Sequence, residues 1–159
     1  MSDFEASQEI SINASPDTVF GLISDFARHK EFSGLAELVD VRIKTAGPIG
    51  LGSTIEADEA VQMGDNKIEL STTSIVVGHN SPTSLSWIVV PPFPLRRVQW
   101  WFQLSQESNG TNPVQEVEVD LGEAAEQFGG VEMFNSGRGA ALSAGIKKTL
   151  ENVKLAAEK

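Results

Sequence analysis

Glu116-Val117-Glu118-Val119-Asp120-Leu121-Gly122 is the stretch on which the fold turns. Val117, Val119 and Leu121 fall on one side of an extended chain, and Glu116, Glu118 and Asp120 on the other. That is the alternation of a strand with one face buried and one in water. After Gly122 the period changes. Leu142, Ile146, Leu150 and Val153 recur at steps of four and three, so a single apolar stripe runs along a helix. Lys147, Lys148 and Lys154 occupy its later turns, where the negative end of the dipole favours cations. Between the two patterns, Glu123 to Ser136 is interrupted by Gly129-Gly130, which should break or bend a helix.

Upstream of Glu116 the alternation recurs, segment after segment. Asn109 to Pro113 reads as a turn, and Arg96 to Gln106 as a strand with Val98, Trp100, Phe102 and Leu104 on one face. Ser84 to Val90, Lys67 to Val77, Ser53 to Met63 and Leu35 to Thr45 continue the series, the last with Val39, Val41 and Ile43 on one face. Asn80-Ser81-Pro82, Gly64-Asp65-Asn66 and the run Gly47 to Gly52 punctuate it as turns. Pro91-Pro92-Phe93-Pro94 must interrupt the ladder, because each proline removes a donor. At the start, Glu5 to Asn13 alternates through Ile10 and Ile12. Ser15-Pro16-Asp17 then opens a helix, with a side-chain acceptor, a preset φ and an acid at the positive dipole end. Val19, Leu22, Ile23 and Phe26 give it one buried face, and a second short helix near Arg28 to Phe32 closes before Gly34.

The order is one strand, two short helices, six strands and one long helix. Short turns make the strands antiparallel, and seven strands with one apolar face need a cover. The expected fold is α+β: a seven-stranded curved antiparallel sheet wrapped around the C-terminal helix, as one domain over residues 1–159. A chain of 159 residues with 40 % hydrophobic content can bury such a core. No apolar run approaches the roughly 18 to 20 residues that cross a bilayer, and the acidic start lacks the features of a signal peptide. A cytoplasmic location is the default, with no integral membrane association. A net charge of −10 argues against nucleic acid as a partner. With no cysteine and two distant histidines, a metal site is not expected.

Three segments carry a resemblance. Asn13-Ala14-Ser15-Pro16-Asp17-Thr18-Val19-Phe20, Ser24-Asp25-Phe26-Ala27-Arg28-His29-Lys30-Glu31-Phe32 and Gly47-Pro48-Ile49-Gly50-Leu51-Gly52-Ser53-Thr54 are similar to the strand-to-helix start, the second helix and the glycine-rich turn of the START-like, helix-grip (SRPBCC) superfamily. Within it the chain resembles the polyketide cyclase/dehydrase-like branch. The resemblance implies a cavity between sheet and last helix. It specifies function poorly, since such folds serve carriers, receptors, cyclases and chaperone activators.

Small residues in the first turns of the last helix, Gly137, Gly139, Ala140, Ala141, Ala144 and Gly145, leave either a pocket or a close approach of helix to sheet. The expected ligand-binding set is Trp87, Trp100, Phe102, Ile55, Val119, Met133, Phe134, Ala141 and Gly145. Alternation sends Trp101 to the outside, where it marks a homodimer or partner surface as one option. The Pro91–Pro94 run is a gate or a rigid turn. Chemistry needs polar groups inside, and two catalytic candidates stand out. Glu59 shares a face with Ile55, Ala57 and Val61, so a concave face would bury it and raise its pKa. His29 edges the cavity or lies on the surface, and His79 reads as a turn residue. Glu123 and Glu126 can reach the cavity rim, and Arg96-Arg97 pair with surface carboxylates or an anion.

The reading that follows is binding of a small hydrophobic or amphipathic molecule without a cofactor. The alternatives are a polyketide cyclase/aromatase-like enzyme, free of metal and nucleotide, and a protein-interaction module. A cavity of at least roughly 300 Å³ is the size expected of a ligand pocket.

Overall fold

The alternating segments become β1 (Phe4–Glu9), β2 (Leu38–Ile43), β3 (Thr54–Met63), β4 (Asn66–Asn80), β5 (Ser84–Val90), β6 (Arg97–Glu107) and β7 (Gly110–Asp120) in a computed structural model. It describes every residue except Met1, Gly64 and Phe93, so the tip of the Gly64 hairpin and Phe93 of the proline run lie outside the described residues. The strands form one antiparallel, curved sheet in the order β1-β7-β6-β5-β4-β3-β2.

Helix α1 (Pro16–Ile23) starts as its sequence dictates: Ser15 Oγ accepts from the Thr18 amide at 3.2 Å, and Pro16 follows at the first helical position. A 3-10 turn (Phe26–Arg28) leads into α2 (His29–Phe32). A longer 3-10 segment, Gly122–Phe128, ends at Gly129 and Gly130, whose φ values of 80° and 105° only glycine adopts freely. Beyond this break α3 (Val131–Phe134) passes through a π-helical turn, Asn135–Gly139, into α4 (Ala140–Ala157). Among the described residues no helix is long and apolar enough to cross a membrane.

The α4 stripe is buried as its spacing requires: Leu142, Ile146, Leu150 and Val153 share one core with Val19 and Ile23 of α1, with Leu85 and Val117 of the sheet and with Leu121 just after it. Two hydrogen bonds fasten the end of α2 to α4. The Gly34 amide donates to Thr149 Oγ1 at 2.9 Å, and Asn152 Nδ2 donates to the Phe32 carbonyl at 2.9 Å. Gly34 must be glycine for this approach, because a Cβ there would collide with the Gly145 carbonyl oxygen and the Thr149 amide.

Four strands depart from the sequence pattern. β7 begins at Gly110, so Gly110 to Pro113, expected in a turn, pair with β6 instead. β1 stops at Glu9, and Ile12 makes only an isolated bridge to Thr111. β4 runs on to Asn80, which puts His79 in a strand against the Phe20 ring, 5.4 Å between centroids, instead of in a turn. β2 begins at Leu38 rather than Leu35 and carries a bulge: Leu38 pairs with Glu59 and Asp40 with Asp58, so Val39 is an extra residue. A bulge reverses the parity of side chains. Val39 is therefore 60 % exposed, while Leu38 and Val41 both turn inward.

Candidate functional site

Between the concave face of the sheet and α4 lies a cavity of about 170 Å³. One wall is aromatic. Trp87 of β5 pairs directly with Trp100 of β6, so their indoles lie nearly parallel, 13° apart with centroids at 6.4 Å. Phe102 stands 5.9 Å from Trp87, and Phe26 meets it edge-on at 5.2 Å. Trp101, one residue off in parity, pairs with Ser86 and Glu116 on the convex side.

The opposite wall is polar. Ala36 adopts φ 55°, a left-handed turn uncommon for a residue with a side chain, and the next residue is a buried glutamate. Glu37 Oε2 accepts from Arg138 Nη1 and from the Gln62 amide, both at 2.8 Å, and its backbone carbonyl accepts from the Ala60 amide. Its other oxygen, Oε1, has no partner among the described residues. Arg138 comes from the π-helical turn ahead of α4. Glu59, opposite Leu38, lines the same wall, with Thr72 and Ser74 of β4 beside it. Burial pushes the Glu59 carboxyl above its usual range. The Thr72 hydroxyl and the Arg138 charge oppose that shift, and the Glu37 charge adds to it. From β7, Gln115 also faces the cavity, 5 % exposed, and its Oε1 too lacks a partner.

His29 stands against the aromatic wall. Its ring packs on Phe26 at 4.4 Å and on Trp87 at 5.6 Å, and Nε2 lies 2.7 Å from the Ile23 carbonyl. A carbonyl only accepts, so Nε2 carries the proton and Nδ1 holds the lone pair of the neutral ring. Burial lowers its pKa, against the opposing pull of the Ile23 carbonyl and Asp25. The ring thus serves an orphan carbonyl of α1 and lines the cavity at once.

Of the residues expected at the site, Trp87, Trp100, Phe102, Ile55, Gly145, Glu59 and His29 line this cavity. Val119 does not. It is buried in solid core, flanked on the neighbouring strands by Phe4 and Val98. Met133, Phe134 and Ala141 line a second, wider cleft of about 760 Å³ instead, together with Phe128 and Gly137. Leu35, Glu37 and Arg138 border both spaces, so the ion pair stands at their junction. Both readings of the small residues hold, at different positions. Gly139 and Gly145 permit close approach, since a Cβ would press on the Phe4 ring and on Leu35, whereas Gly137 faces open space. Glu123 and Glu126 are exposed and line neither space. Arg96 pairs with Asp120 at 3.4 Å and Arg97 with Glu118 at 2.8 Å.

The polar wall is what the sequence pattern understated. Gln115, Thr72 and Ser74 share the parity of the buried Val117 and Val76, so the rule that singles out Glu59 applies to them equally. Glu37 follows a loop and Arg138 sits between glycines, and neither position carries a periodic signal. At about 170 Å³ the cavity falls short of the expected size and matches one that holds a single benzene ring. Among the described residues no three acidic, histidine or cysteine side chains are placed to hold a metal ion.

Residues 3–158 match the family model described as polyketide cyclase / dehydrase and lipid transport. Solved structures share the fold at low identity. The di-domain ARO/CYC BexL from the BE-7585A biosynthetic pathway superposes with a TM-score of 0.77 at 20 % identity, over 98 % of this chain and 50 % of that one. StfQ, a di-domain ARO/CYC from the steffimycin pathway, gives 0.77 at 13 %, over 98 % and 51 %. The major latex-like protein 151 of Panax ginseng gives 0.72 at 7 %, over 98 % and 97 %. The chain thus spans about half the length of the two di-domain proteins. No curated protein sequence matches it.

Proposed function

The chain belongs to the polyketide cyclase / dehydrase and lipid transport family, and from that premise we propose that it binds a small, mostly apolar molecule between its sheet and α4. The observation that carries this reading is the cavity itself, floored by the stacked Trp87 and Trp100 and roofed by Leu142 and Ile146. An apolar void lined by large side chains gains dispersion and hydrophobic energy when filled. Its volume suits one ring. A longer ligand would continue into the outer cleft, past Glu37 and Arg138.

Native mass spectrometry of protein purified without denaturation tests the reading. A retained small organic mass, released on unfolding, is the expected result. Protein that carries no such mass, and takes up no ring-sized apolar probe when offered one, contradicts it.

One observation favours a second reading, proton-transfer chemistry of the cyclase kind on a polyketide-like substrate. Glu59 is a cavity-facing carboxyl whose proton affinity is raised by burial, the property wanted of a group that lends and retrieves a proton near neutral pH. Under this reading Glu59→Gln keeps ligand binding and stops cyclisation of a linear polyketone. Undiminished cyclisation by that variant removes Glu59 from the chemistry.

A further inference from the structure

Two buried oxygens on opposite flanks of the cavity have no hydrogen-bond partner among the described residues: Glu37 Oε1, next to β2, and Gln115 Oε1, on β7. Glu37 is 7 % exposed and Gln115 5 %, and both residues line the cavity. A buried acceptor left unmade costs the desolvation of that group, and more when it is charged. A fold keeps such an atom where something else satisfies it. Both are acceptors, and the carboxylate cannot be turned into a donor by an amide flip. The only cation among the described lining residues is Arg138, and its charge is balanced by Glu37, whose Oε2 accepts from its Nη1. Glu59, close enough to feel the charges of Glu37 and Arg138, adds a further carboxyl. The polar wall therefore offers acceptors and holds little positive charge to spare.

We propose that Glu37 and Gln115 are the polar anchor points of the cavity, and that it selects ring-sized ligands bearing hydrogen-bond donors while rejecting anions. This rests on the ligand-binding reading above and adds the chemistry of the ligand's polar group. Neither oxygen has appreciable exposed surface as it stands, so each must turn to meet a ligand. The terminal torsion of a glutamate is broad, and rotation about it turns both oxygens together, so Oε1 reaches a donor in the cavity as Oε2 shifts against Arg138 and the Gln62 amide. An ammonium or hydroxyl completes it. A carboxylate would compete with Glu37 for Arg138 and would sit beside the Glu59 carboxyl.

Four probes of one size separate the possibilities: toluene, benzyl alcohol, benzylamine and benzoate, titrated by calorimetry into the full chain at neutral pH. Benzyl alcohol and benzylamine should bind about tenfold tighter than toluene, the worth of one hydrogen bond to a charged acceptor, and benzoate weaker than toluene. Tightest binding by benzoate overturns the proposal, because Arg138 then dominates the cavity. Equal binding of all four also overturns it and leaves the ligand-binding reading standing. Failure of all four to bind sinks both. Glu37→Gln should remove most of the advantage of benzylamine over toluene. Gln115→Met leaves the Glu37–Arg138 pair intact and should weaken the two donors only in part. Unchanged preference in both variants contradicts the assignment.

Discussion

The two walls of the cavity are built on different principles. The wall formed by β5 and β6 is regular: Trp87, Trp100 and Phe102 face inward because strand parity and register leave them no other choice. The wall beside β2 and β3 is irregular. Its ionisable groups come from a residue after a left-handed turn, a strand opposite a bulge and a π-helical turn. Regular structure presents bulk to the cavity, and irregular structure presents charge. Strands repeat one orientation and so accumulate apolar area, whereas bulges and π turns re-aim single side chains.

The largest effect expected on this contrast comes from the regular wall. Trp87→Ala removes a ring packed on three other aromatic side chains and on His29, and should cost about 3–5 kcal/mol in urea unfolding. A loss under about 1 kcal/mol would show that the ring fills no well-packed space. On the irregular wall, Arg138→Ala strands the buried Glu37 and should cost about 3 kcal/mol. The double variant Glu37→Leu with Arg138→Met should recover most of that, since an apolar pair of similar volume often replaces a buried ion pair without loss. If the double variant is as unstable as the single one, the pair is structural rather than a device of the site.

Smaller effects depend on pH. The Glu59 carboxyl is raised above its unfolded value of 4.5, so the folded protein holds that proton longer than the unfolded chain does. Stability tied to Glu59 is fullest below pH 4.5 and is lost as pH rises through the folded pKa. Glu59→Gln removes that loss, and its melting temperature should exceed that of the wild type at pH 7 by more than at pH 4. His29 works with the opposite sign and, being a single half-buried ring, gives the smallest change. Its pKa is lowered below 6.5, so its contribution is full above pH 6.5 and is lost as pH falls from there through the folded pKa. In His29→Gln the dependence of melting temperature on pH just below 6.5 should flatten.

The regular wall was legible in the sequence because period-two alternation is a rule about many residues at once. Ile55, Trp87, Trp100 and Phe102 all follow from it. The same rule pointed to Glu59 and would have pointed to Gln115. It failed at Val39, where one extra residue inverted the parity, and at Val119, where the sheet is packed solid rather than hollow. Met133, Phe134 and Ala141 were expected in the inner cavity and line the outer cleft instead, because the helical break at Gly129-Gly130 and the π turn set a rotation that no spacing rule contains. Glu37 and Arg138 lie about a hundred positions apart in the chain, and only the closed fold brings them to 2.8 Å.

The three tryptophans provide their own control. Trp87 and Trp100 line the cavity, and Trp101 lies on the other face of the same strand as Trp100. Toluene titrated into 15N-labelled protein should shift the indole N–H resonances of Trp87 and Trp100 and leave that of Trp101 in place. A shift of Trp101 alone, of all three equally, or of none would contradict a ligand site between the sheet and α4.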